Sequence, residues 1–389
     1  MAKDLVYLIT GGCGFIGEWI VKLVLKEDYV KEVKVFDLNE SEAIKHLRTA
    51  STMVTFIKGD ITDFNQILSA VKGVDVVIHT AALVDYLDGV PFKKLEAINV
   101  GGTENIINAC LAMDVPYVVY TSSIAAVGPN ANGDPMERIP AGFQATTPIA
   151  TSNYLQWLPV IRVTEDTFYP GEPLLSYGKT KARAEKLVLL ANGQQTRNGN
   201  KLTTCVIRPS NIYGEKTPDL KESYQSAKSN SNRMDYLEPD NTEQSLTYVG
   251  NVAWMHVLAA RQMQLHPDRL GGQAYYAYDE TPFKRRVKLN YELFSEIDPA
   301  IQIGKHIPYW KMWIMISIYN LIKTIVRPFW NLKPFMSIPI LKLLVIMYNY
   351  DTDKAFRHFG YKPIFTWVES KQRTCKWIQQ LKVETNCPK

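Results

Sequence analysis

Short, mostly apolar blocks alternate with stretches of helical spacing along the first half of the chain. Leu5–Thr10 is a continuous apolar run. Gly11-Gly-Cys-Gly-Phe-Ile-Gly17 follows at once, and apolar residues then recur at helical spacing from Glu18 to Lys26. Val33–Asp37, Val54–Ile61, Val74–Thr80, Val115–Tyr120 and Leu202–Arg208 repeat the strand pattern. Apolar runs of this length suit strands covered on both faces. Six strands alternating with helices predict an α/β, Rossmann-like, doubly wound parallel sheet.

The pattern then changes twice. Between Ser123 and Tyr177 lies an insertion, about 130–173, with prolines at 129, 135, 140, 148, 159, 170 and 173. It is long for a loop and predicts an excursion over the site. Residues 215–245 are polar and strand-poor and read as a loop on the substrate side. Tyr248–His256 opens another helix, in which His256 has no partner motif and reads as a packed or surface histidine.

From Pro308 to Tyr350 the chain is strongly apolar. In Trp310–Val326, Ser317, Asn320, Lys323 and Thr324 share one arc of a helix, and the remaining face is wide and aromatic-rich. Its longest uncharged run, Met312–Ile322, is about half of the roughly 20 residues that a spanning helix needs. Arg327-Pro328 ends it. Met336–Tyr348 adds a second apolar run interrupted by Pro339 and Lys342. This pattern fits an anchor lying flat in a bilayer interface. A hydrophobic lid or core helix is the alternative. The expected plan is a dinucleotide-binding domain at 1–215, a smaller substrate-binding region at 216–306, a membrane-associating segment at 307–350, and a region packing back on the domain at 351–389.

Composition narrows the partners. A chain of 389 residues, 46% hydrophobic and 21% charged, is globular. A formal charge of +5 is small for this length, and no basic stripe points to nucleic acid. Five scattered cysteines form no zinc motif, so no metal is expected, and they suit a reducing, cytosol-facing environment.

The candidate chemistry sits at strand ends. Strand, glycine loop and helix in that order suit a pyrophosphate, with Gly11, Gly14, Phe15, Ile16 and Gly17 in the loop. Asp37 ends the second strand where a ribose 2′-hydroxyl is expected. No Lys or Arg stands within seven residues after it, which favours NAD over NADP. Asp60 and Ile61 close the third strand against an adenine, and Ala81 and Ala82 let the chain pass close under the cofactor. Ordinary turn packing is the alternative for each. Asn99 opens a helix, where capping is the simpler role. Thr121-Ser122-Ser123 ends the fifth strand and offers a hydroxyl for a substrate oxygen. Tyr177 and Lys181 lie one helical turn apart. A neighbouring ammonium pulls a phenol below its usual value of about 10, which makes a general base for an alcohol proton.

The ordered set TGGCGFIG, Asp37, GDI, Asn99, TSS, YGKTK and RPSNIYG resembles the extended short-chain dehydrogenase/reductase superfamily. VYLITGGCGFIGE, VVIHTAALVDY, YTSSIAAVGPN, YVGNVAWMHVLAAR and TDKAFRHFGYKPIFTW run from end to end of the chain. They resemble the 3β-hydroxysteroid dehydrogenase/Δ5-4 isomerase family, and most of all its bile-acid type, which acts on 7α-hydroxylated C-27 sterols. The resemblance implies NAD as cofactor, a sterol or steroid substrate and attachment to the endoplasmic reticulum membrane, and leaves a homodimer open. It implies that Gly11, Gly14 and Gly17 hold the pyrophosphate and Asp37 the adenosine ribose. Ser123 would orient the substrate oxygen, Tyr177 would be the base, and Lys181 would bind the nicotinamide ribose while lowering the Tyr177 pKa. The Ser123–Tyr177 interval is longer than is usual in that family. No motif maps the isomerase residues. Rival readings are a sterol-4-carboxylate dehydrogenase, a nucleotide-sugar epimerase or dehydratase, and a non-catalytic NAD-binding membrane protein.

Overall fold

The computed structural model describes residues 4–51, 53–128, 161–163, 165, 172–239, 242, 244–326, 330, 336–345, 348–350 and 352–386. Most of the insertion at 130–173 lies outside the described residues. Seven strands form one sheet: β1 (Leu5–Thr10), β2 (Val30–Asp37), β3 (Val54–Lys58), β4 (Val76–His79), β5 (Tyr117–Thr121), β6 (Thr203–Arg208) and β7 (Gln273–Tyr276). Their order is β7-β6-β5-β4-β1-β2-β3, and every pairing is parallel. The order reverses between β1 and β4, the switch point at which such sheets bind ligands beyond the carboxyl ends of their strands.

Side-chain alternation divides the core. Tyr7, Ile9, Val33, Val35, Ile78 and Val119 point to one face, against Ile20, Val21 and Val24 of helix Gly17–Val24 and Val252 and Ala253 of helix Val249–Leu265. Leu8, Phe36, Val77, Val118 and Tyr120 point to the other, against Ile67, Ile106, Ala184 and Val188. The last two belong to helix Ser176–Ala191, which carries Tyr177 and Lys181. A second core joins helices Pro218–Ser229 and Arg286–Ile297 to Cys375 and Ile378 of the C-terminal helix Trp367–Asn386.

Several expectations are corrected. The polar stretch 215–245 contains helix Pro218–Ser229 and strand Arg233–Tyr236, which pairs with Gln302–His306. Leu220, Tyr224 and Ala227 give that helix a buried face despite its polar surroundings. β3 ends at Lys58, so Asp60 and Ile61 lie beyond it. β7 is a seventh strand, which its four residues, QAYY, did not announce.

Helix Tyr309–Val326 buries Met312 and Ile316 against Leu341. It leaves Trp310, Trp313, Ile314, Met315, Ile318, Leu321, Ile322 and Ile325 exposed. Among the described residues no helix is long and apolar enough to cross a membrane.

Candidate active site

The glycine loop is folded back tightly on itself. Gly11 adopts a φ of +70°, and its amide donates to Phe36 O at 2.9 Å. Gly17 opens the following helix, and a Cβ there would lie 2.1 Å from Gly11 O and 2.6 Å from the Gly12 Cα. Only glycine lets that helix start so close to β1. Ile16 supplies no capping side chain, and the Glu18 and Trp19 amides donate instead to Gly14 O at 3.0 Å and Ile16 O at 3.1 Å; a helix start behind a glycine loop is the setting that suits a pyrophosphate. Gly14 N donates to Gly11 O at 2.9 Å.

Asp37 closes the loop from β2. Its Oδ2 accepts from Cys13 N at 3.0 Å and its Oδ1 from Leu38 N at 2.7 Å. Ala81 packs under Gly11, where a glycine Cβ would lie 2.7 Å from its backbone. These residues surround one end of the crevice, and the cradle fits a dinucleotide. Phe15 and Ile16 rest their half-buried side chains against the second core, and Ile16 also against the first. Asp60 makes a turn, its Oδ1 accepting from Thr62 N at 2.9 Å. Ile61 is buried against Gly102.

At the ends of β5 and of helix Ser176–Ala191 a second group converges. Ser123 accepts from Ala125 N at 3.1 Å and begins the turn Ile124–Ala126. The Tyr177 phenol approaches the Ser123 hydroxyl, which acts to lower the phenol's pKa. Gly178 makes this approach possible, since a Cβ there would lie 2.3 Å from Ala125 O. Ser122 Oγ is buried, with no hydrogen-bond partner among the described residues.

The expected charge relation between Tyr177 and Lys181 is not what the geometry gives. Lys181 Nζ donates to Thr121 O at 2.7 Å and to Tyr120 Oη at 3.3 Å, and lies over the Tyr120 ring at 4.8 Å. Burial lowers its pKa to about 7, with Glu185 opposing. Burial likewise holds the Tyr177 phenol well above its usual value, with Tyr86 and Tyr120 adding to the rise, and only the Ser123 hydroxyl lowers it.

Two residues act behind these groups. Asn99 does not cap a helix. It lies within a π-turn, Ala97–Gly101, a local widening that often marks functional sites. Its Oδ1 accepts from Leu83 N at 2.7 Å, and its Nδ2 donates to Leu83 O at 2.9 Å and to Thr180 Oγ1 at 3.0 Å. It therefore ties the segment after β4 to the helix between Tyr177 and Lys181. His256 is buried behind β5. Its Nδ1 lies 2.8 Å from Val252 O, so that nitrogen carries the proton and Nε2 accepts from Thr121 Oγ1 at 2.8 Å. Burial pushes its pKa down to about 4, which keeps the ring neutral. Its link to Thr121 spans 135 residues of sequence, which no local motif could announce. Glu185 and Arg208 form a buried ion pair at 2.6 Å that fixes the same helix to β6.

A model of the 3-beta hydroxysteroid dehydrogenase/isomerase family matches residues 8–142 and 143–305. The chain belongs to this family. Mouse "3 beta-hydroxysteroid dehydrogenase type 7" is 38% identical over 97% of this chain and 96% of its own length. The "3 beta-hydroxysteroid dehydrogenase/Delta 5-->4-isomerase" of vaccinia virus (strain Ankara) is 34% identical over 96% and 99%. Among solved structures, a dTDP-glucose 4,6-dehydratase from Streptomyces venezuelae with NAD bound superposes with a TM-score of 0.66. It is 17% identical, and 98% of each chain is covered. A UDP-glucuronic acid 4-epimerase from Bacillus cereus in complex with NAD gives 0.66 at 17% identity, over 97% and 99%. At such identity these two show the fold. The matching family is one of hydroxysteroid dehydrogenases and isomerases, and the two solved structures carry NAD in the fold that this chain shares.

Proposed function

We propose that the chain oxidises a 3β-hydroxy-Δ5-steroid to the 3-ketosteroid and then allows the double bond to migrate from Δ5 to Δ4. The observation that carries this reading is the close seating of the helix start at Tyr177-Gly178 on the turn that Ser123 opens, which brings the phenol to the Ser123 hydroxyl. Ser123 holds the substrate oxygen, and Tyr177 takes its proton. NAD supplies the hydride acceptor. Lys181, anchored at Thr121 O and Tyr120 Oη, would in its ammonium form have one further N–H for a ribose hydroxyl. The phenol must be ionised to take a proton, and a positive charge beside it, as a bound oxidised nicotinamide would supply, favours the phenolate against the burial that opposes it. The new ketone acidifies the adjacent carbon, and that is what permits double-bond migration.

The Gly11–Gly17 loop and Asp37 hold the adenosine half in this reading, with Asp60 at its edge. Residues 216–306 form the substrate lobe. Helix Tyr309–Val326 lies in a membrane interface, since its exposed face carries two tryptophans, a methionine and five aliphatic side chains. The catalytic domain faces the cytosol at the endoplasmic reticulum, where a sterol dissolved in the bilayer can reach it.

NADH formation by the full chain in phospholipid vesicles, with pregnenolone, dehydroepiandrosterone and 7α-hydroxycholesterol, tests the reading. Turnover of at least one, strongest with the 7α-hydroxylated sterol, is expected. Tight NAD binding without turnover of any sterol would overturn it.

A further inference from the structure

The segment after β4 turns beside the catalytic helix and is fixed at both ends by buried polar side chains. Asn99 holds Leu83 through its amide N and carbonyl O. Asp85 clamps the turn, its Oδ1 accepting from Leu87 N at 3.0 Å and its Oδ2 from Val90 N at 2.7 Å. Asp88 sits at a φ of 49°, a left-handed turn conformation that Asp adopts more readily than most residues.

This well-fixed turn nevertheless presents apolar surface. Val84 is 52% exposed, Tyr86 46% and Leu87 42%. Adjoining large apolar side chains on a surface mark a place that a ligand or partner covers. Here the patch adjoins the reacting phenol. The Tyr86 and Tyr177 rings are 5.3 Å apart between centroids and meet edge to face at 68°. Tyr86 thus stands directly beside the catalytic helix.

We propose that Val84, Tyr86 and Leu87 form the apolar wall on which the fused rings of the substrate lie, with Tyr86 as its specificity-determining residue. The inference rests on the steroid reading above and gives it a binding surface. An alcohol held by Ser123 and Tyr177 lies next to Tyr86, and only a broad apolar body reaches on to Val84 and Leu87. Asp85 acts as a positioning residue that keeps the wall in place before substrate arrives.

The test is steady-state kinetics of NADH formation with a 3β-hydroxysteroid, alongside NAD affinity by fluorescence titration, on the full-length wild type, Tyr86→Ala, Leu87→Ala and Tyr86→Phe. Tyr86→Ala is expected to raise KM about tenfold or more with NAD affinity retained. Leu87→Ala should raise it by a smaller factor, and Tyr86→Phe, which keeps the ring, should recover most of the loss. Sterol turnover by wild type with unchanged KM in both alanine variants would overturn the wall while leaving the steroid reading intact. Loss of NAD binding in Tyr86→Ala would also overturn it, by making the turn a structural support of the cofactor cradle. Absence of sterol turnover by the wild type would remove the steroid reading itself.

Discussion

Lys181 donates from Nζ to the backbone oxygen of Thr121 at 2.7 Å, and the Thr121 hydroxyl in turn bonds His256 at 2.8 Å. The end of β5 is therefore gripped from both sides by buried titratable groups. Burial holds Lys181 at about 7, below its ordinary 10.5. Between those values the unfolded chain binds a proton that the folded chain does not, so folding stability gains with rising pH across this window and loses that gain below about pH 7. Lys181→Met removes the group. The melting temperature of Lys181→Met minus that of wild type should accordingly increase as pH falls from 10 to 7. A difference that stays flat across that range would show that Lys181 titrates normally.

Tyr177 and Ser123 meet because Gly178 lets the helix touch the Ile124–Ala126 turn. A Cβ at 178 would lie 2.3 Å from Ala125 O, too close for either backbone to remain in place. Gly178→Ala should displace the phenol from Ser123. A misplacement of about 1 Å costs roughly 100-fold in rate. Rapid-mixing measurement of NADH formation should show that loss in kcat, with NAD affinity within about twofold, because the glycine cradle lies elsewhere. Unaltered kcat would mean that the contact does not position the base.

The β-strands and the glycine loop were legible because a parallel sheet buries both its faces, so Leu5–Thr10 and its counterparts are apolar whichever way each residue points. Asp37 stands out in the sequence by its distance from the glycine loop, and Tyr177 and Lys181 by their helical spacing together with the motifs on either side. The stretch 215–245 was not: Leu220, Tyr224 and Ala227 are too sparse among polar residues to declare a helix, and their burial comes from Phe294 and its neighbours in a later segment. The Lys181–Thr121–His256 chain was invisible for the same reason, since it joins residues far apart in sequence. The sign of the Tyr177 shift was missed because spacing reveals a nearby ammonium but not how deeply the phenol is buried.

Asn99 supplies the side-chain bonds of the half-buried Leu83 amide and carbonyl and joins them to Thr180, whose hydroxyl also donates to Tyr177 O at 2.8 Å. Asn99→Ala leaves Leu83 N and O without their side-chain bonds, and unsatisfied buried groups cost about 1–3 kcal/mol. Denaturant unfolding should show a loss of that order. The turn carrying Val84, Tyr86 and Leu87 should loosen with it, so KM for sterol should rise as well. A stability unchanged from wild type would contradict the tie.

Helix Tyr309–Val326 offers a direct membrane test. Trp313, Ile318 and Leu321 are exposed, so charges there leave the core intact. Trp313→Glu, Ile318→Glu and Leu321→Glu together should abolish co-flotation with phospholipid vesicles while the soluble fraction keeps its NAD affinity. Flotation equal to wild type would remove the interfacial role of this helix.

The central claim is that the Tyr177 phenol, placed by Ser123, takes the proton of a steroid alcohol. Its most direct test compares wild type and Tyr177→Phe for NADH formation from a 3β-hydroxysteroid, with NAD affinity measured on both. General-base removal predicts a fall in kcat of roughly 100- to 10,000-fold with NAD bound as before. Turnover by Tyr177→Phe at the wild-type rate would contradict the account.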